Sequence, residues 1–555
     1  MAKIVECVPN FSEGRDMNII DTITAEINKV NGAKLLDVDP GADTNRTVVT
    51  FIGTPEAVEE AAFLVIKKAS EVIDMSKHKG AHPRMGATDV CPFIPVSEVT
   101  MQDCVEIAKK VAKRVGDELN IPIYLYEEAA TSPERRNLAY VRAGEYEGLS
   151  EKLANPAMKP DFGPAKFNAH TGATAISARE FLIAYNINLN TKDKKLANEI
   201  AFNIREAGRA KRDEKAEIIR DDKGFSIKMS GKYRNVKAVG WYINEYGRAQ
   251  ISINLTNYKI TPIHTIFEDC ILEAEKFGVR VTGSEVVGLV PKEAILQSGK
   301  YYMQRMGKSI AVPEEEIIHH AILSLGLNEV AEFDMKEKVI EYFVEKPGPL
   351  ASMTVTDFVN EVCVDSPAPG GGSVAALSGA LGAALGAMVS NLTVGKTGYE
   401  EVFDRLEGHG VELSNLRKKL LSGIDEDTNA FNDVIDAMRM PQKTPEQIEK
   451  RKAAMELGYK KATEIPLDNA KNCLKIFEHI EYIAKNGNKN SASDAGVGAL
   501  MAYAGLVGTV MNVKINLPNI KDKEFLEKMN KATDSMIEEA RKKCDEIVTY
   551  VMNTF

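Results

Sequence analysis

Cysteine is sparse in this chain. The 555 residues include 7 cysteines, spread from Cys7 to Cys544 with no CxxC pair. A scattered, odd-numbered set argues against a disulfide framework or a cysteine zinc site and fits reduced thiols. Excess positive charge is also missing. The formal net charge is -10, which argues against nucleic-acid binding by the chain as a whole. No basic stretch leads into an apolar run of signal length, so a secretory leader is not expected. HExxH and GxxxxGK[ST] are absent too, which removes the helical zinc-protease and P-loop readings.

What is present is ordinary for a soluble globular protein: 44% hydrophobic and 27% charged residues. The length exceeds a single core, so two to four domains are expected. Histidine is scarce, 8 in all, yet His78 and His82 fall within five residues of DMSKHKGAHPRMGATDVCPFIPV at 74–96. Gly80 lies between them and Pro83 follows, so the stretch is loop rather than helix face. A histidine there, beside Arg84, suits general-base chemistry on an anionic substrate. A structural histidine bonded to backbone and a metal ligand remain as alternatives. Asn45 and Arg46 stand in a polar turn and suit turn chemistry or contact with a substrate carboxylate.

Strand signals at 3–8, 33–40, 48–53, 90–96 and 121–129 alternate with helical spacing at 17–28, 55–73 and 101–119. This order predicts an α+β layer structure with helices on one face of a sheet. PNFSEGRD at 9–16 is expected to be a turn. Most of Arg135, Arg136 and Arg142 are expected on a solvated helix face. A loop from Gly163 to Gly172, with Lys166 inside it, suits close backbone approach to a ligand or an ordinary connection. A second α+β subdomain follows, with strands within 238–262, helices at 194–208, 264–278 and 313–326, a charged excursion at 211–238, and a last strand at 338–344. His264, His319 and His320 are expected to be structural. EKPGPLA at 345–351 is a linker.

From Thr354 onward β signals nearly vanish, which predicts an all-α helical bundle. It opens with PAPGGGSVAAL, where Ser373 can cap a helix and exposed N–H groups could form an anion site. Two runs, 373–394 and 493–513, are nearly free of charge and rich in Ala and Gly, with Gly382 and Gly386 a small-xxx-small pair. Membrane spans must be weighed. Polar Ser378, Ser390, Asn391 and Thr393 and the absent aromatic belts argue instead for helices packed in a bundle core or subunit interface. Asp425 and Asp427 are two apart on a helix and point to different faces, so one can be buried while the other is solvated.

MAKIVECVPNFSEGRD, LLDVDPGADTNRTVVTF at 35–51 and the 74–96 stretch together resemble the glutamate formimidoyltransferase family. VDSPAPGGGSVAALSGALGAALGAMV at 364–389 resembles the formimidoyltetrahydrofolate cyclodeaminase family. In this order the two resemble the bifunctional formimidoyltransferase-cyclodeaminase family over nearly the whole chain. The resemblance implies an α+β transferase of two subdomains, 1–180 and 181–333, a linker at 334–353 and a helical cyclodeaminase domain at 354–555.

It also implies a reaction. The formimino group passes from formimidoylglutamate to tetrahydrofolate, and 5-formimidoyltetrahydrofolate is then cyclised to 5,10-methenyltetrahydrofolate with loss of ammonia. His82 and Asp427 are implied as catalytic. Gly163, Pro164, Ala165, Lys166, Phe167, Asn168, Ala169, His170, Thr171 and Gly172 are implied to bind folate. Thr171 stands where relatives carry a tryptophan, which puts aromatic stacking from that position in doubt. Tetrahydrofolate, as polyglutamate, would be co-substrate, with no metal and no permanently bound cofactor. A cytoplasmic homo-oligomer is implied, dimer-based and up to an octamer, with no nucleic-acid partner and no membrane span. A folate carrier without catalysis and a structural or membrane-associated scaffold are the readings from other classes.

Overall fold

The computed structural model describes residues 3–42, 44–80, 83–215, 217–221, 226–343 and 348–555. The first sheet contains β1 (Ile4–Cys7), β2 (Asn10–Phe11), β3 (Ala33–Gly41), β4 (Arg46–Gly53), β5 (Thr88–Ser97), β6 (Ile123–Glu127) and β7 (Thr174–Ala178). Its order is β1-β4-β2-β5-β7-β6, with β3 on β4 and β1 also on β5. The pairs β5–β7 and β6–β7 are parallel. Helices α1 (Met17–Thr24), α2 (Pro55–Val72) and α3 (Met101–Leu119) cover one face. Alternation along the strands explains this: Val5, Cys7, Phe51 and Phe93 join Val65, Ile66, Ile107 and Val111 in one buried core. Glu6, Val8 and Asn10 point the other way and line a cavity. Asn10–Phe11, expected in a turn, is strand because it pairs with both β4 and β5.

Short helices α4 (Leu138–Arg142) and α5 (Leu149–Ala154) precede β7. The second sheet has β8 (Ile183–Leu189), β11 (Val236–Ile243), β12 (Arg248–Leu255) and β13 (Val281–Val287) in the antiparallel order β11-β12-β8-β13. Helices α6 (Lys194–Ile204) and α7 (Ile263–Lys276) accompany it. The described part of the charged excursion carries a two-residue ladder of β9 (Arg209–Ala210) with β10 (Lys228–Met229). Over the described residues 338–343 the strand expected at 338–344 does not form. α10 (Met335–Lys338) precedes a 3-10 turn at Ile340–Phe343, and Val339 makes a single bridge to Val290. Alternation in a short apolar run cannot say whether a partner strand lies alongside.

By contacts the chain divides into Met1–Ile295 with Leu325–Glu345, and Leu296–Ser324 with Lys346–Phe555. α8 (Lys292–Arg305) crosses that division, and α9 (Glu314–Leu325) lies almost wholly in the second unit. There Lys418 reaches Glu314 at 2.9 Å, and Glu407 accepts from the Ile310 N–H at 3.1 Å. The rest of the second unit is helical: α11 (Val355–Cys363), α12 (Gly371–Asn391), α13 (Phe403–Arg439), α14 (Pro445–Asn486), α15 (Ala492–Asn516) and α16 (Lys523–Met552). This α+β part followed by an all-helical part is the predicted fold class. The linker expected at 345–351 lies partly outside the described residues.

The two small-residue helices are α12 and α15, and they pack on each other. A Cβ at Gly382 would lie 2.7 Å from the Gly498 carbonyl, and one at Gly505 would lie 2.8 Å from the Gly379 nitrogen. Both helices are long and apolar enough to cross a membrane by length and composition, with 61% and 50% of the respective windows buried inside the protein. Leu413, Leu420, Ile476, Phe477 and Ile480 complete that core. α14 runs on through Pro466 without ending there. Pro466 is buried, so packing against neighbouring helices outweighs the lost backbone hydrogen bond.

Candidate active sites

A cavity of about 930 Å³ lies against the open face of the first sheet, with residues of the second sheet also lining it. Asn10 is 4% exposed on its wall. Its Nδ2 donates to the Val8 carbonyl at 2.9 Å, which fixes Oδ1 as the remaining acceptor. That oxygen is buried without a partner among the described residues, as is Arg142 Nε. Arg142 also lines the cavity and is ion-paired at 2.6 Å to the buried Asp89, which accepts the Met85 N–H at 2.9 Å. Arg46 and Arg179 add two further guanidinium groups to the lining. Burial lowers the Arg46 pKa, with Asp89 opposing the shift. The wall therefore offers guanidinium donors and an amide acceptor to a polar ligand, among acidic side chains that include Asp37, Glu127, Glu128 and Glu180.

His82 and its neighbour Ala81 lie outside the described residues. His78 Nε2 meets the Asn45 carbonyl at 2.8 Å, and His78 Nδ1 accepts from Arg84 Nε at 3.2 Å. Both ring nitrogens are thus used in backbone and side-chain support, so the structural alternative holds for His78. Gly80 packs on Thr44 and Asn45, where an added Cβ would collide with the Thr44 carbonyl. Gly80 thus lies against the turn that precedes β4. Arg84 is 7% exposed and grips Glu147 through two bonds of 2.8 and 2.7 Å. It is not among the residues lining the cavity, and its fork is already filled.

The Gly163–Gly172 loop sits against the same stretch. The His170 carbonyl accepts from Met75 N–H and the Thr171 carbonyl from Ala87 N–H, each at 2.9 Å. Gly163 and Gly172 have φ of 77° and 65°, and a Cβ on either would strike a backbone carbonyl. Phe167 stands 5.6 Å, ring to ring, from Tyr146, whose hydroxyl donates to the Ala169 carbonyl at 2.6 Å. Lys166 is exposed. Pro164, Ala165 and Asn168 complete the loop, and no residue from 163 to 172 lines the cavity.

Two arginines expected on a solvated face are not there. Arg135 is 9% exposed and pairs with Asp161 at 2.8 Å, while Arg142 is the half-buried partner of Asp89. Only Arg136 is exposed. Glu6, Asn10 and Arg179 were not singled out from the sequence as binding residues. The available signal was Glu6-Val8-Asn10, three residues on one face of a strand, two of them polar.

In the helical unit, Asp425 and Asp427 take opposite roles. Asp425 is buried, and its two oxygens accept from the Leu350 and Ala351 N–H groups at 2.9 and 3.0 Å. Asp427 is half-buried, and burial pushes its carboxyl up to about 6 against the lowering effect of hydrogen bonds from Ser373. Its carboxylate lies directly on Gly372, where an added Cβ would collide with both oxygens. Ser373 does not cap α12; Gly370 holds that position. The buried Ser373 hydroxyl instead donates to the Ile424 carbonyl at 2.8 Å and lies 3.0 Å from Thr428 Oγ1. Asn512 flanks Gly371. A carboxyl held between protonated and ionised forms near neutrality can move protons in both directions. Among the described residues no group of three or more histidine, cysteine or acidic side chains could hold a metal ion.

Three family models match the chain. They are the N-terminal subdomain of the formiminotransferase domain at 4–179, the formiminotransferase domain at 184–345, and formiminotransferase-cyclodeaminase at 354–535. The chain is 42% identical to formimidoyltransferase-cyclodeaminase of Mus musculus over 98% of its own length and 97% of that protein. It is 43% identical to formimidoyltransferase-cyclodeaminase of Dictyostelium discoideum over 100% and 99%. Its first part is similar to glutamate formimidoyltransferase of Streptococcus pyogenes serotype M1, with 45% identity over 55% of this chain and 94% of that protein.

Proposed function

The chain belongs to the formimidoyltransferase-cyclodeaminase family, and from that premise we propose which of its residues carry each of two consecutive reactions. The enzyme transfers the formimino group from formimidoylglutamate to tetrahydrofolate. It then cyclises 5-formimidoyltetrahydrofolate to 5,10-methenyltetrahydrofolate and releases ammonia. In the first step N5 of tetrahydrofolate attacks the formimino carbon, and the glutamate nitrogen leaves. His82 takes the N5 proton and returns one to the departing nitrogen. The arginine-lined cavity beside the histidine stretch receives the substrates, and the loop from Gly163 to Gly172 contacts folate. Arg46 and Arg142, rather than Arg84, are placed to meet a substrate carboxylate.

In the second step N10 attacks the same carbon. Asp427 accepts the N10 proton and delivers one to the departing amino group. The observation that carries this assignment is the Asp427 carboxyl seated on the Gly372 backbone, half-buried and with its pKa near neutrality. The steps are additions, eliminations and proton transfers, so they call for neither a redox cofactor nor a metal. The proposed functional division keeps 1–180 and 181–333 as transferase subdomains, 334–353 as linker and 354–555 as cyclodeaminase. Residues 296–324 pack with the last of these.

We propose further that the enzyme is cytoplasmic, takes tetrahydrofolate polyglutamates, and works as a dimer-based homo-oligomer. Val374, Leu381 and Met388 on α12 and Val497, Leu500, Met511 and Ile515 on α15 leave apolar side chains exposed. A second copy of this chain would cover them. A spectrophotometric assay of methenyltetrahydrofolate formed from formimidoylglutamate and tetrahydrofolate tests the paired activities. Formation of product without either substrate-dependent step would overturn the reading.

A further inference from the structure

Glu6 is a cavity-wall residue whose chemistry the transfer reaction, as written above, leaves unused. It is 3% exposed, stands on the same strand face as Val8 and Asn10, and lines the cavity. No hydrogen bond reaches its carboxyl from any described residue. Buried carboxyls in folded proteins are normally hydrogen-bonded or ion-paired, so a cavity-facing one with neither awaits a partner from outside the chain. The register places it four residues from Asn10, opposite Ile52 and Ile94, where Asn10 faces Val48 and Val90. At ~3.3 Å per residue the two positions are about 13 Å apart, so Glu6 marks the end of the cavity away from Arg46 and Arg142.

The groups a substrate could bring to Glu6 differ in hydrogen-bonding pattern. The carboxylates of formimidoylglutamate and of the folate glutamate are acceptors only: an ionised Glu6 repels them, and a neutral one offers a single donor against the guanidinium forks of Arg46 and Arg142. They belong at the end of Arg46 and Arg142; Arg179 stands close enough to Glu6 to act on its charge. The formimino group is an amidinium with donors only, matched by an ionised carboxylate. The pyrimidinone ring of the pteridine carries a lactam edge, with N3–H a donor and O4 an acceptor. A neutral carboxylic acid is its complement, with one acceptor and one donor.

We propose that Glu6 recognises the pteridine of tetrahydrofolate: its carboxyl C=O accepts N3–H and its O–H donates to O4. Glu6 is then a specificity-determining residue of the transferase, and the pteridine lies at the Glu6 end with the formimino carbon between it and the arginines. The inference rests on the reading that transfer takes place in this cavity. The surroundings keep the acid neutral. Burial pushes its pKa up to about 8, the Arg179 charge opposes this without forming an ion pair, and Glu341 adds to it. Of the other titratable groups around it, the Cys7 thiol on the same strand is itself raised well above its usual value. Ionised Glu6 would lose its donor to O4, so tetrahydrofolate binding should weaken as pH rises through that value.

The test uses the full-length protein and follows glutamate release with each substrate varied in turn. Glu6→Gln keeps one donor and one acceptor, and should hold the KM for tetrahydrofolate within about threefold of wild type. Glu6→Leu should raise it roughly 10- to 100-fold, the loss of two hydrogen bonds, with the KM for formimidoylglutamate unchanged. The wild-type KM for tetrahydrofolate should climb above pH ~8 while that of Glu6→Gln stays flat. The thermal transition of the transferase unit, which has its own core, reports that each variant is folded there. A Glu6→Leu enzyme with wild-type KM values overturns the proposal. So does a Glu6→Gln enzyme as impaired as Glu6→Leu, which would mean an ionised carboxylate is needed. A rise confined to the KM for formimidoylglutamate also overturns it, because Glu6 would then hold the amidinium. Asn10→Leu separates the two levels. If it changes KM values while Glu6→Leu does not, only the Glu6 inference fails; if neither changes anything, transfer takes place outside this cavity.

Discussion

Asp425 and Asp427 lie on one helix, yet the first accepts the Leu350 and Ala351 N–H groups while the second faces Gly372 and Ser373 at the start of α12. This gives opposite expectations for Asn substitutions. Asp427→Asn keeps the shape but cannot exchange a proton, so cyclodeaminase activity should fall at least ~100-fold while transfer survives. The acid limb of cyclodeaminase kcat/KM should lie near 6, not near the usual aspartate value, because Asp427 must be ionised to accept the N10 proton. The stability effect has the opposite sign. The folded-state pKa is raised from 3.8 to about 6, so the contribution of Asp427 is most favourable below pH ~4 and is lost as pH rises through 6. Asp427→Asn should therefore stabilise the helical unit above pH 6 by on the order of 1–3 kcal/mol, with little change below pH 4. Thermal unfolding at both pH values checks this. A destabilised mutant at pH 7 would mean that Asp427 is a structural acid.

At the scale of elements, α12 serves two functions through its glycines. Gly372 at its start makes room for the Asp427 carboxylate, and Gly382 lets α15 approach farther along. Gly372→Ala should depress cyclodeaminase activity by displacing Asp427, with transfer unaffected; an unchanged cyclodeaminase rate would exclude that contact as a catalytic requirement. Gly382 and Gly505 face each other's helices inside one chain, so Gly382→Leu or Gly505→Leu should overpack the bundle and lower its thermal transition. The subunit contact proposed above would fall on the outer apolar stripe. Leu381→Lys should reduce assembly size in light scattering or sedimentation while leaving the helical unit folded, and an assembly of unaltered size would place the interface elsewhere.

For the whole molecule, the two reactions should be separable by mutation and recombinable by mixing. His82 and Asp427 lie far apart in the chain, and the two compact units each have their own core. His82→Ala should cost transfer at least ~100-fold and spare cyclisation, the reverse of Asp427→Asn. Neither variant alone should make methenyltetrahydrofolate from formimidoylglutamate at a useful rate. A mixture should, because intermediate released by one protein reaches the other. A lag in the mixture that the intact enzyme lacks would report internal passage of the intermediate. A mixture that stays inactive while both half-reactions run would show that released intermediate is not used.

The sequence by itself determined the layer order, the switch from mixed sheet to bundle, and the two landmark motifs. Each depends on local periodicity or on glycine and proline at fixed places, and these are properties of neighbouring residues. Alternation also made Cys7 and Phe93 core residues, whichever strands lay beside them. Tertiary structure alone decided which polar residues face inward. Arg135 and Arg142 resemble any basic helix face until Asp161 and Asp89, distant in sequence, are brought against them. Asn10 resembles a turn former until β4 and β5 flank it. The strand absent over 338–343 and the continued helix through Pro466 have the same cause, since pairing and packing partners come from remote chain. Glu6 is the sharpest case. A glutamate on a strand is ordinarily a solvent-facing residue, and only the closing of a cavity over it raises its pKa and leaves its carboxyl waiting for a ligand.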